Sequence, residues 1–202
     1  MKCRAAVLNK MGAPRPYMKS KPITIEQIDL DEPGDGEVLI KMGAAGLCHS
    51  DLSVVNGSRP RPLPMVIGHE ASAIVEKLGP NANDLEVGDH VAAVFVPSCG
   101  SCIPCLEGRP ALCEPAAVAN ANGTLLSGAK RIKLNGQYVT HHVGVSCFAE
   151  YAVVSQKSLV KIPSNIPLDL AALFGCAVIT GVGAVVNTAK MAMGSSAGII
   201  GL

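Results

Sequence analysis

The chain has 202 residues, 49% of them apolar and 16% charged, so it can bury a core and is not of disordered composition. Seventeen Lys and Arg against sixteen Asp and Glu leave a net charge of +1, with neither the basic excess of a nucleic-acid binder nor an acidic tail. Twenty-one Gly and fourteen Pro, with no Trp and only three Phe and three Tyr, favour short strands and turns over a helical bundle or a base-stacking aromatic platform.

The N-terminal residues Met1 to Lys10 hold no apolar run of signal-peptide length. Cys3 to Leu8 reads as a short strand, and Ile23 to Leu30 alternates with the period of two expected of a half-buried one. Pro33 to Gly36 is a turn before a strand beginning Glu37 to Met42. Ser50, Asp51 and Leu52 suit a helix start, with Ser50 as its cap and Gly57 as its stop. Glu70 to Leu78 is a strand, and Val87-Gly88-Asp89 turns into another from His90 to Val96. The segment Pro97 to Gly136 is irregular and needs an organiser of its own. Strand character returns at Phe148 to Val154 and Leu159 to Ile162.

Beyond Pro163 and Pro167 the chain turns helical and glycine-punctuated to Lys190, and Ala197 to Gly201 reads as a buried strand. The uncharged run Leu170 to Ala189 comes nearest to a membrane span. Its Ala, Gly and Val content, its Asn187 and Thr188, and its lack of aromatic anchors point instead to a buried helix broken by glycines. A cytoplasmic protein with no membrane or nucleic-acid partner is expected. The pattern is mostly β with some α, an irregular β domain joined to the opening of an α/β unit.

Eight cysteines stand at 3, 48, 99, 102, 105, 113, 147 and 176, four of them within fifteen residues. Such clustering suits a metal rather than a disulfide framework. Cys99, Cys102, Cys105 and Cys113 can close a tetrahedral zinc shell with no position left for substrate, a structural site. An iron–sulfur cluster fits the same donors but lacks an evident redox partner. Cys48, His69 and Cys176 are dispersed, yet each has glycine or acidic neighbours in Gly46-Leu47-Cys48-His49-Ser50-Asp51, Gly68-His69-Glu70 and Gly175-Cys176. Glycine permits close backbone approach, and a nearby carboxylate can orient a ligating imidazole.

With Gly-His-Glu, Cys-His-Ser-Asp, Val-Gly-Asp-His-Val and the four-cysteine lobe in this order, the chain resembles the zinc-dependent alcohol dehydrogenases of the medium-chain dehydrogenase/reductase superfamily. The resemblance implies a GroES-like β-barrel catalytic domain over residues 1–175, with its zinc lobe at about 97–136. Residues 176–202 would then open a Rossmann domain for NAD. It implies two zinc ions: a catalytic one on Cys48, His69 and Cys176, and a structural one on the four clustered cysteines. Asp51 then orients His69, Glu70 stands beside the metal, and Ser50 receives the alcohol proton. His49 and Thr180 match positions near the coenzyme, and Phe95 and His142 positions lining the substrate pocket. The substrate would be a small alcohol or aldehyde, and the enzyme a homo-oligomer.

Two departures accompany the likeness. Ser53 stands where some members extend the proton relay with histidine, and the 202 residues contain no G-x-G-x-x-G turn. A fragment inactive by itself is the resulting expectation. A GroES-like binding module without redox activity and a related polyol dehydrogenase are the alternatives.

Overall fold

The computed structural model describes residues 1–200. Eleven strands form two sheets among these residues. They are β1 (Lys2–Leu8), β2 (Ile23–Leu30), β3 (Glu37–Gly46), β4 (Met65–Val66), β5 (Glu70–Leu78), β6 (His90–Ala93), β7 (Ile132–Leu134), β8 (Gln137–Tyr138), β9 (Thr140–His141), β10 (Tyr151–Ser155) and β11 (Leu159–Lys161). One sheet runs β8-β7-β2-β1-β4-β9 and the other β10-β3-β5-β6-β11. Side chains of both sheets share an interior. Val38, Ile40, Ala73, Val75 and Val91 fill one cluster, and Val7, Ile28, Val66 and Ile132 a second that also takes Val153 from β10. This near-closed arrangement is barrel-like and mostly β, as the resemblance implies.

Four helices are short: α1 (Tyr17–Ser20), α2 (His49–Val55), α3 (Ile103–Leu106) and α4 (Glu114–Asn122). Helix α2 covers the barrel end through Val54 and Val55, which meet Leu8, Met65 and Ile67. Its cap is Cys48 and not Ser50. The Cys48 sulfur accepts the Ser50 N–H at 3.5 Å, while the Asp51 carboxylate accepts the Cys48 N–H at 3.1 Å, a reciprocal box that places Ser50 inside the helix. The stretch expected to be irregular, 97–136, contains α3, α4 and the strand β7, which pairs with β8 just beyond it.

The C-terminal portion departs most from expectation. Leu168–Thr188 is helical throughout, and glycines 175, 181 and 183 do not break it. Gly175 falls in a wide turn at Phe174–Val178 and Gly183 beside another at Ala184–Thr188, where bonds such as Val178 N–H to Leu173 O span five residues, while Gly181 lies in the regular turn between them. Nor is it buried. Only its first turns pack, through Ala171, Ala172 and Gly175, and Ile179, Val182, Val185 and Val186 are exposed. By length and composition this helix could cross a membrane; just 17% of its most apolar window is buried. Residues 197–200 form no strand, since no neighbouring strand offers them a ladder among the described residues. The expected strand's last residue, Gly201, lies outside the described residues, as does Leu202.

Candidate metal centres

Strand registers explain why distant residues meet at one end of the barrel. The last β3–β5 pair joins Gly46 to Glu70, and β5 continues to β6 through Ala71 opposite Ala93. Cys48 therefore follows β3, His69 precedes β5 and Phe95 follows β6 at the same sheet end. Gly68 makes the approach to β5 with φ of +99°, a left-handed backbone that a side chain would strain. The fourth contributor comes from the C-terminal helix. Gly175 lies directly on the Ala93 carbonyl, where a methyl group would overlap it, and so brings Cys176 to the site.

Ligand atoms of Cys48, His69, Glu70 and Cys176 lie within 4.8 Å of one another. The two sulfurs are 4.0 Å apart. Zinc–sulfur bonds of about 2.3 Å set tetrahedral sulfurs about 3.8 Å apart, so the donor set fits zinc. Asp51 is buried, and its Oδ1 lies 2.9 Å from His69 Nδ1. A carboxylate only accepts, so His69 Nδ1 carries the proton and its Nε2 lone pair is left to a metal. That Nε2 is 4.0 Å from Glu70 Oε1. Burial raises the Asp51 carboxyl, but His142 and His69 beside it outweigh burial and hold it well below the usual carboxylate range. Burial and the Glu70 carboxylate push the Cys176 thiol up to about 12. A metal cation at this point would reverse that preference, because thiolates are its ligands.

The remaining candidates surround this cluster unevenly. The Phe95 ring meets the His69 ring edge to face at 5.7 Å, and Phe95 lines a cavity of about 440 Å³ with Val94, Val96, Pro110, Ala111, Leu159 and Ile179. His142 is 3% exposed and faces inward. Its Nδ1 lies 3.2 Å from the Gly68 N–H and 3.3 Å from Asp51 Oδ1, and its ring meets His69 at 5.4 Å. Ser50 is half-buried on the first turn of α2, and His49 is exposed with its Nδ1 3.4 Å from Ser53 Oγ. Thr180 is exposed on the C-terminal helix, one turn past Cys176.

The four-cysteine cluster also closes. Ligand atoms of Cys99, Cys102, Cys105 and Cys113 all lie within 4.8 Å of one another, with Cys99 and Cys105 sulfurs 4.0 Å apart. N–H groups of Ser101 and Cys102 aim at the Cys99 sulfur and pull its thiol down to about 6. Such amide-cradled thiolates suit a metal shell. Cys3 and Cys147 sit in the core outside both clusters, and burial pushes the Cys147 thiol well above its ordinary range. One participant carried no sequence signal of its own. Asn120, on α4, donates from Nδ2 to the Phe95 carbonyl at 2.9 Å.

Comparison with known proteins agrees with this geometry. The alcohol dehydrogenase GroES-like domain family matches residues 34–164, more than half of the chain. Alcohol dehydrogenase class-3 of Drosophila melanogaster is 39% identical over 201 residues, covering 99% of this chain and 51% of that protein. An alcohol dehydrogenase zinc-binding domain protein from Burkholderia ambifaria superposes with a TM-score of 0.86 at 36% identity, over 97% of this chain and 51% of that one. Benzyl alcohol dehydrogenase from Acinetobacter calcoaceticus gives 0.83 at 35% identity, over 97% and 51%. The chain spans about half the length of the curated relatives it matches. From its barrel, its strand-end cysteine and histidine cluster and the family match over 34–164, the chain belongs to the alcohol dehydrogenase GroES-like domain family.

Proposed function

We propose that this chain is the substrate- and metal-holding portion of a zinc-dependent, NAD-linked alcohol dehydrogenase that interconverts a small alcohol and its aldehyde or ketone. One observation carries the reading: Cys48, His69 and Cys176, far apart in sequence, bring ligand atoms within 4.8 Å beside a carboxylate that fixes the His69 tautomer. Three such ligands would hold zinc with a position open to substrate. A zinc ion so held supplies Lewis acidity, which makes an alcohol hydroxyl acidic near neutral pH.

The chain's own residues do the rest. Asp51 keeps the His69 proton on Nδ1 and at the same time caps α2, so the imidazole and the helix carrying Ser50 are held by one carboxylate. Ser50 takes the alcohol proton on its Oγ and passes it outward from a half-buried position. Glu70, 2% exposed, stands beside the ligands as an alternative donor. Phe95 excludes water along one wall, and His142 backs the site from within. His49 and Thr180 face outward toward the coenzyme. Cys99, Cys102, Cys105 and Cys113 hold a second, structural zinc. Residues 1–175 form the catalytic domain, and residues 176–202 open the coenzyme-binding unit. These 202 residues contain no dinucleotide-binding glycine motif, so alone they are expected not to reduce NAD.

The reading is tested with cobalt(II) in place of zinc. Adding trifluoroethanol to the cobalt-loaded chain should shift its visible bands, and Cys48→Ala should abolish the shift. Bands indifferent to the alcohol would overturn the open-position reading.

A further inference from the structure

We infer that Asn120 is a positioning residue through which the four-cysteine lobe sets Phe95 against His69. The inference rests on the reading of His69 as a metal ligand for its consequence, but not for its geometry.

Cys113 is the residue before α4 and is 1% exposed. Cys113, Ala116 and Asn120 follow one another at three and four residues, so they share one helix face. Ala116 is fully buried on that face, while Ala117, Val118 and Ala121 are exposed on the other. At the far end Asn120 Nδ2 donates to the Phe95 carbonyl. Phe95 lies beyond the last residue of β6, where the sheet ladder no longer serves its backbone. A flipped amide would set two oxygen acceptors face to face, so chemistry fixes the donor.

The connection closes into a ring. Phe95 leads within four residues to Cys99, whose N–H donates to the Cys113 sulfur at 3.3 Å. Cys113 leads through α4 to Asn120, which returns to Phe95. The Phe95 and His69 rings then meet edge to face, with centroids 5.7 Å apart and planes at 86°. The Asn120 Oδ1 is buried and has no partner among the described residues. That unpartnered oxygen is a cost of burial, which the hydrogen bond donated by Nδ2 offsets. Whatever orders the four cysteines also orders the first turn of α4, and through it the wall of the cavity that Phe95 shares with Pro110 and Ala111.

The test reads the imidazole protons of the five histidines by NMR in the zinc-loaded chain. Phe95→Leu defines the shift that the Phe95 ring imposes on His69. Asn120→Asp keeps the shape and removes the donor. It should move the His69 signals toward their Phe95→Leu positions while His90 and His141 stay in place. Asn120→Ala should do the same, and Cys102→Ser should move His69 in the same direction. If both Asn120 variants leave His69 unmoved, or displace all the histidines equally, the positioning role is wrong. Loss of one zinc with Cys48→Ala is measured separately, so failure of the catalytic-site reading would be seen there and would leave the Phe95–His69 readout intact.

Discussion

At the residue scale Asp51 ties the site together without touching a metal itself. Its two oxygens serve different masters, Oδ2 the N-terminus of α2 and Oδ1 the imidazole of His69. Asp51→Asn keeps the shape but removes the charge that favours Nδ1–H, and zinc affinity at the cluster should fall about 10- to 100-fold, measured by competition with a chelator. The same substitution changes the acid limb of stability. The folded carboxyl lies below its unfolded value, so its contribution is present above the ordinary aspartate range and is lost as pH falls through the folded value. Wild type should therefore lose stability on acidification more steeply than Asp51→Asn, in urea titrations between about pH 5 and pH 2. Equal slopes would place the Asp51 charge outside the folding linkage.

Cysteine spacing and the glycine-flanked motifs made most of the metal-binding candidates legible in the sequence. What stayed hidden had a physical reason. Sulfur capping of α2 by Cys48 was invisible because cap preferences favour hydroxyl and carboxylate side chains, and Ser50 stood two residues away. His142 carries no sign in its neighbours that it faces Asp51 from within the barrel.

At the scale of elements, the longer strands and the start of α2 were read from the sequence, while the short strands β4, β7, β8 and β9 and helix α4 were not. The alternation of Ile23–Leu30 matches β2 to the residue, because period two survives wherever one face is buried. Helix α4 was missed because its alanines and asparagines give almost no apolar stripe; Cys113 and the tertiary contacts of Ala116 and Ala119 hold it. Gly175 lies in the run read as broken by glycines, yet the helix continues through it, and the close backbone approach expected of a glycine beside Cys176 is its contact with the Ala93 carbonyl. Gly175→Ala should therefore be worse, not better, for this helix. We expect a loss of about 1–3 kcal/mol in denaturant unfolding together with weaker metal retention by Cys176. A stabilised variant would refute the close-contact account. In the four-cysteine lobe, Cys102→Ser should expose residues 97–136 to protease, since a structural metal contributes folding free energy directly. Unchanged cleavage there would count against a structural ion.

At the scale of the whole molecule, two sheets with a common interior carry the stability, and both candidate metal clusters lie beyond strand ends of the β10-β3-β5-β6-β11 sheet. The C-terminal helix is the exception, with Leu170, Ile179, Val182 and Val186 all more than half exposed. An apolar surface of this extent promotes association. The 202-residue chain should self-associate as its concentration rises, and Val182→Lys with Val186→Lys should shift it toward monomer in sedimentation velocity. A monomer at every concentration would show that this face is not adhesive.

The central claim is that one barrel end gathers a three-ligand metal site distinct from the four-cysteine site. Metal analysis of purified chain measures it most directly, in wild type, Cys48→Ala and Cys102→Ser. Two zinc ions per chain are predicted, falling to one in either variant, with the ion retained by Cys48→Ala resisting chelation. One zinc in the wild type, unchanged by Cys48→Ala, would contradict it.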